Sequence, residues 1–467
     1  MFKRALLAAL LCGSTPAFAQ SETPVPDDVD AVFTDEYRNE LVMDVEAAFA
    51  QAQADYGYIS QEAADEIART ASIEYAPLED VSDEYSRVRH RMVALLNVWR
   101  RVLSEDASNA LHRGVTTVDV YDTVRILQIR QTIALLRADL VEAEGRMIAL
   151  AREHRDTPMV GRTLGQHALP ITFGKKVATW AAANRRNIER LDAVACRVGT
   201  LGVLRGAVGT HLGLGPDGPA MEIAAADYLG LGPVTPADWH GLRDVFGEYA
   251  SVLAIMSRTQ AHVGQEVFLM QMTDIGELYE RRISTAVSSS SMPHKINPSR
   301  SEQLMHAGRV IPAISSILID DVANYFERDN TSRPNSTIED ISLAAGEMTG
   351  DLNTLLDRLV INPDRMRANL ESTDGMVLAQ RIVFAVEDEL GKEAAEEHVA
   401  EAANHAQEEG IPFREALLAD DRLAPLIAGQ IDELLDFDSY LGASAEQVDA
   451  TIAWLEAQPQ EAPACAM

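Results

Sequence analysis

Between residues 118 and 150 the chain repeats its apolar pattern at helical spacing twice over. Val120, Val124, Leu127, Gln131, Ala134, Ala138, Val141, Gly145 and Ile148 recur at alternating intervals of four and three, and Ile126, Ile129, Ile133, Leu136, Leu140 and Met147 form a second stripe. A helix with two apolar faces must be covered on both sides, which places it at the centre of a bundle. The small residues of the first stripe let a neighbouring helix come close. Similar long patterns occupy roughly 175–200, 236–280, 299–327 and 337–360, with almost no strand-like alternation, so the expected class is all-α. Pro312 inside the fourth pattern predicts a kink. After Asn362-Pro363 the helical patterns shorten.

The first nineteen residues stand apart. Lys3 and Arg4 form a basic start, Ala5 to Cys12 an apolar run, and Ala17-Phe18-Ala19 an A-x-A cleavage site. These are the marks of a secretory signal peptide cleaved after Ala19, too short to span a bilayer. No later segment has eighteen uninterrupted apolar residues, so the expectation is a soluble periplasmic or secreted protein without membrane contact after cleavage. The sequence divides into the leader 1–19, an N-terminal helical domain 20–112, a central long-helix block 113–362 and a small helical domain 363–467. The acidic, proline-rich stretch 20–36 reads as a flexible lead-in, and Gln458 to Met467 as a frayed tail. Two cysteines remain after cleavage, Cys196 and Cys465; they form no disulfide framework, and Cys196 reads as a small buried apolar residue.

Forty basic against 72 acidic residues give a net charge of −32, which excludes a general nucleic-acid binder. An anionic substrate would need local positive charge against that field, for which Lys295 and Arg328 are candidates. No histidine pattern implies metal catalysis, and no cofactor is expected. Gly213 to Gly218 fits G-x-G-x-x-G, but no strand precedes it and Pro216 blocks a phosphate cradle, so it reads as a connecting loop.

Three separated segments carry the chemistry. His112-Arg113-Gly114-Val115-Thr116-Thr117-Val118-Asp119 precedes the long helix, so Thr116 and Thr117 fall at a helix N-terminus, where hydroxyls and free N–H groups hold carboxylate. A threonine there is equally an ordinary N-cap. Gly161-Arg162-Thr163-Leu164-Gly165-Gln166 is the second segment. The third is Ser288-Ser289-Ser290-Ser291-Met292-Pro293-His294-Lys295-Ile296-Asn297, a loop that sets hydroxyls beside a cation and a carboxamide. That combination suits proton abstraction next to a carboxylate. A serine becomes basic only where cations and N–H groups stabilise its alkoxide away from water.

Together these segments resemble the signatures of the fumarase/aspartase superfamily, in the branch holding adenylosuccinate lyase and 3-carboxy-cis,cis-muconate cycloisomerase. The resemblance runs from about 36 to 456. It implies three helical domains whose long helices form a twenty-helix core in a homotetramer, each active site taking its three segments from three subunits. It assigns Ser289 as the base, with Lys295 and Asn297 stabilising an aci-carboxylate intermediate. Thr116, Thr117, Thr163, Gln166, Ser290, Met292 and Arg328 are then substrate-binding residues. Arg328, in Glu327-Arg328-Asp329 at the close of the kinked helix, is on its own as readily a surface charge. His90 lies where relatives carry a His-Asp-Val and is a candidate catalytic residue, although Arg91 replaces the Asp and a structural histidine fits as well. Leu164 stands where many members carry a histidine, which favours the cycloisomerase branch, and Ser288 replaces the usual glycine. The expected activity is β-elimination from a succinyl-type dicarboxylate with release of fumarate or an analogue. The rivals are a carboxymuconate-type cycloisomerase and a non-catalytic dicarboxylate-binding pseudoenzyme.

Overall fold

The computed structural model describes residues 25–201, 204–281, 291–329 and 334–466. The leader, Ser289 and Ser290 lie outside the described residues. The described chain is helical almost throughout. The principal helices are α1 (Asp35–Asp55), α2 (Arg91–Trp99), α3 (Thr117–Glu153), α4 (Phe173–Val198), α5 (Asp244–Met270), α6 (Ser299–Asp320), α7 (Pro334–Arg358) and α8 (Ser444–Glu456). Two small antiparallel pairs interrupt them: β1 (Pro158–Thr163) with β2 (Gln166–Thr172), and β3 (Leu278–Glu280) with β4 (Leu359–Ile361).

Buried contacts fix the helix directions. Asn184 donates to the Leu140 carbonyl at 2.8 Å, Arg185 pairs with Glu144, and Arg137 with Asp192, so α4 runs antiparallel to α3. Asn353 donates to the Asp139 carbonyl and Arg146 to Asp357, so α7 runs parallel to α3. The α5–α6 pair is antiparallel and close: a Cβ on Gly264 would lie 2.8 Å from that of Leu304, and one on Gly247 2.8 Å from Val322. One end of this assembly therefore gathers the starts of α3, α5 and α7 with the finish of α6. The other gathers the finishes of α3, α5 and α7 with the starts of α4 and α6. With 37 residues, α3 separates the two ends by about 55 Å.

The second stripe of α3 is buried within the chain: Ile126, Ile129, Leu136 and Leu140 have no exposed surface. The first stripe is only partly covered past its start, where Leu127, Val141 and Ile148 are half-buried against the core. Val120 and Val124 are buried, whereas Ala134, Ala138 and Gly145 are exposed, and Gly145 has open space where a Cβ would be. A compact C-terminal cluster formed by Ile382, Val399, Phe413 and Leu417 among others has its own core, while Val448, Ile452 and Leu455 of α8 join the main one.

Both expected loose ends are held. Val29, Val32 and Phe33 of the lead-in pack into the main core, and Gln128 donates to the Val32 carbonyl at 2.8 Å. At the other terminus Cys196 and Cys465 form a disulfide, so Cys196 is not a simple apolar filler. Arg137 donates to the carbonyls of Gln460 and Glu461, and Arg185 to that of Pro459, which docks the tail on α3 and α4. No pairing rule links two cysteines 269 positions apart, so contact geometry alone reveals the bond. Helix α6 runs through Pro312 and ends at Asp320, so Glu327-Arg328-Asp329 lie in the loop beyond it and do not close it.

Closing so long a loop restricts the unfolded chain, an effect of up to about 5 kcal/mol. Cys465→Ser is expected to lower the thermal midpoint, and reductant to do the same to the wild type only. Equal midpoints with and without reductant would contradict a structural role for the bond.

Candidate functional site

Thr116 is the N-cap of α3, where its backbone N–H donates to the Asp119 carboxylate at 2.9 Å. Asp119 is wholly buried and also accepts from the N–H groups of Arg205 (3.3 Å) and Gly206 (3.0 Å). Burial pushes its carboxyl above the usual range, opposed by those N–H groups and by His240. Gly114 reaches φ +75, and a Cβ there would lie 2.7 Å from the Gly213 carbonyl; only glycine lets the two loops meet. Behind them Arg205 pairs with Glu222 at 2.6 Å, and His211 reaches the same carboxylate at 3.0 Å. His112 Nδ1 lies 2.6 Å from buried Glu46 of α1. Together these contacts hold Thr116 and Thr117 half-buried.

The arginine loop belongs to the same end. Arg243 clasps Asp122 of α3 with two hydrogen bonds of 3.1 and 2.9 Å, and its backbone N–H donates to the Val322 carbonyl at 2.6 Å. Asn324 donates to the Gly241 carbonyl at 3.1 Å. Arg328, four residues further on, is half-buried. His90 is exposed and caps α2, its Nδ1 accepting from the Val93 N–H at 3.3 Å. Three arginines, Arg38, Arg91 and Arg125, lie close enough to repel one another here, with Asp122 and Glu339 among them. Burial, with repulsion from Arg38, lowers the Arg125 guanidinium to about 10, and Arg91 repels Arg38 in turn.

The second segment and the described part of the third, residues 291–297, occupy the opposite end. Thr163 and Gln166 face each other across a two-residue hairpin whose central residues, Leu164 and Gly165, both have positive φ. Such a turn matches the twist of paired strands. Leu164 stands fully exposed at its tip. Arg162 anchors the hairpin to buried Glu277 at 3.0 and 2.7 Å, and Asn369 donates to the same carboxylate at 2.9 Å. Three residues along, Glu280 caps α6, accepting from the N–H groups of Arg300 (3.1 Å) and Ser301 (2.9 Å). Gln271 ties the approach to that helix by donating to the Ile296 carbonyl at 2.9 Å while accepting from the Glu280 N–H at 2.9 Å. On that approach the Lys295 N–H turns back to the Met292 carbonyl at 3.0 Å, with both side chains exposed and Asn297 half-buried.

Within one chain, then, Thr116, Thr117 and Arg328 share one end, and Thr163, Gln166, Met292, Lys295 and Asn297 the other. Sequence reasoning did not single out Asp119, Asp122, Arg205, Glu222, His240, Arg243, Glu277 or Glu280, which position these segments. They are polar residues that follow no apolar period; Asp119 entered only as the last residue of the first segment. A cleft of about 610 Å³ lined by Tyr58, Ser60, Asp106, Asn109 and Arg113 contains none of the expected site residues. His398, Glu401 and Asp420 are the one described group with donors near enough for a metal, but Asp420 already accepts from two backbone N–H groups and lies 3.0 Å from His398 Nδ1.

Burial disfavours the His112 imidazolium, but the hydrogen bond and charge of Glu46 outweigh it and raise the pKa above its ordinary 6.5. The folded state therefore holds this proton more tightly than the unfolded one. Its contribution to stability is complete below pH 6.5 and is lost as pH rises through the raised value. The thermal midpoint of the wild type relative to His112→Asn should fall across that interval. A difference independent of pH would contradict the pairing.

Comparison with known proteins gives concordant results. A lyase family model matches residues 23–312, and a model of the adenylosuccinate lyase C-terminus matches residues 375–451. The chain is 34% identical to adenylosuccinate lyase of Methanocaldococcus jannaschii, covering 91% of this chain and 93% of that one. It is 32% identical to N-acetyl-S-(2-succino)cysteine lyase of Dickeya dadantii, over 92% and 94%. The crystal structure of the 3-carboxy-cis,cis-muconate lactonizing enzyme of Pseudomonas putida superposes with a TM-score of 0.84 at 27% identity, covering 92% of this chain and 96% of that one. Helical architecture, motif segments and full-length similarity agree: the chain belongs to the fumarase/aspartase superfamily, in the branch of adenylosuccinate lyase and carboxymuconate cycloisomerase, and is an enzyme with lyase activity.

Proposed function

We propose that the chain is an exported homotetrameric lyase that removes a proton from a succinyl-type dicarboxylate and expels its β-substituent, releasing fumarate or an analogue. Ser289 is the base. Lys295 and Asn297 stabilise the aci-carboxylate, whose second negative charge makes the carbon acid so weak in water. Thr116, Thr117 and Arg328 hold carboxylates, with Thr163, Gln166, Ser290 and Met292 completing the pocket. The bond from Cβ to the leaving nitrogen, oxygen or sulfur breaks as the electron pair left at Cα forms the new double bond.

One observation carries the reading: Thr116, Thr117 and Arg328 stand at one end of a helix about 55 Å long, and Thr163, Gln166, Lys295 and Asn297 at the other. A single chain cannot close a site from them, whereas antiparallel copies can. The uncovered stripe of α3 offers Ala134, Ala138 and Gly145 for close helix packing. Apolar tips stand exposed at both ends, with Leu212 and Phe326 beside the threonine and arginine loops and Leu164 on the hairpin. Each is worth about 1.5–3 kcal/mol once covered. Two relatives named for succinyl compounds, one attached through nitrogen and one through sulfur, support the substrate class. The Cys196–Cys465 bond supports an oxidising compartment.

The cycloisomerase alternative rests on Leu164, an apolar side chain at the hairpin tip where many relatives carry a histidine. Closing a muconate-type lactone is the same proton chemistry in reverse.

Purified protein should change the near-ultraviolet absorbance of N- and S-succinyl compounds as fumarate forms, or of a carboxymuconate as the lactone closes. Ser289→Ala is expected to reduce kcat about a thousandfold while leaving the oligomer intact. Undiminished turnover by that variant would remove the assigned base.

A further inference from the structure

His240 has almost no exposed surface, and its Nε2 has no hydrogen-bond partner among the described residues. Such an orphaned polar atom is costly, so its position needs a reason. Its Nδ1 lies 3.0 Å from Asp238, and burial of that carboxyl is outweighed by the histidine contact, which holds it below the usual range. Nε2 points between two carboxylates of the first turns of α3, at 3.7 Å from Asp119 and 4.0 Å from Asp122. Asp119 is the group that accepts the Thr116 N–H.

The residues next to His240 touch the other carboxylate-binding element. Gly241 accepts from Asn324, a Cβ on Gly241 would lie 2.9 Å from the carbonyls of Phe326 and Glu327, and Leu242 bridges to Ala323. Residues 238–243 therefore lie between the threonine turn and the arginine loop and contact both.

We propose that His240 is a positioning residue for substrate: directed at Asp119 and Asp122, it sets the distance between the threonine turn and the loop of Arg328, and so the spacing at which carboxylates are gripped. This rests on the proposed role of Thr116, Thr117 and Arg328 as carboxylate ligands. His240 lies behind those residues and does not itself touch substrate. A shift of a few tenths of an ångström would bring Nε2 within bonding distance of Asp119, so a ligand that tightens the threonine turn also removes the orphan.

Two variants separate this role from simple packing. His240→Asn keeps an N–H near the Nδ1 position and removes the group facing Asp119 and Asp122. His240→Gln keeps an N–H near the Nε2 position and gives up the Asp238 contact. Calorimetry with fumarate as probe should show about tenfold weaker binding for the Asn variant and a value within about threefold of wild type for Gln. In turnover the Asn effect should fall on KM more than on kcat. Equal behaviour of the two variants, or failure of both to assemble, assigns His240 to folding and overturns the proposal. Loss of fumarate binding in Arg328→Met alongside unchanged binding in both His240 variants would sink this inference and leave the functional reading standing. A wild type that binds no fumarate would sink the functional reading, and this inference with it.

Discussion

The antiparallel pairing of α3 with α4, with α7 laid parallel beside it, is the constraint on which the rest depends. It is fixed by ion pairs: Arg185 and Glu144 are almost completely enclosed, and buried Arg137 holds the half-buried Asp192. Buried pairs of this kind add little net stability over apolar packing, yet removing one partner costs about 3–5 kcal/mol because the other charge is stranded. They therefore set register. With register fixed, the length of α3 sends the threonine turn and the hairpin to opposite poles, and every later feature inherits that polarity.

Each pole is built in the same manner, with irregular backbone carrying the motif residues and a buried carboxylate gathering its N–H donors. At one pole Asp119 collects three loop N–H groups, and at the other Glu280 collects the start of α6 while Glu277 holds Arg162 and Asn369. Loops alone have little apolar contact to define their shape. These carboxylates supply it, Asp119 for the backbone at Thr116 and Glu280 for the start of α6.

The long helices were legible because periodicity reports burial directly: the stripe at 118–150 became Thr117–Glu153, and the pattern at 175–200 became Phe173–Val198. Family resemblance likewise located the segments that the fold places at the poles. The hairpin of β1 and β2 was hidden because its turn, Leu164-Gly165, uses a leucine at positive φ, which no local propensity favours. The stop of α6 at Asp320 was overrun because polar and apolar residues continue in helical rhythm through Ala323. The supporting network of Asp119, His240 and Arg243 was invisible for a different reason: it joins residues more than a hundred positions apart, and a buried charge looks like a surface charge until its partner is known. The first stripe of α3 shows the converse, since a pattern that demanded cover is left partly uncovered in a single chain.

The account stands on a site divided between copies of the chain, and complementation tests this most directly. Thr117→Val and Lys295→Met damage opposite poles and should each be inactive alone. Co-expression in equal amounts should restore up to about a quarter of wild-type turnover, because half the subunits at each contributing position are intact. Activity that stays at the level of the separate variants, with mixed oligomers demonstrated, would contradict a shared site.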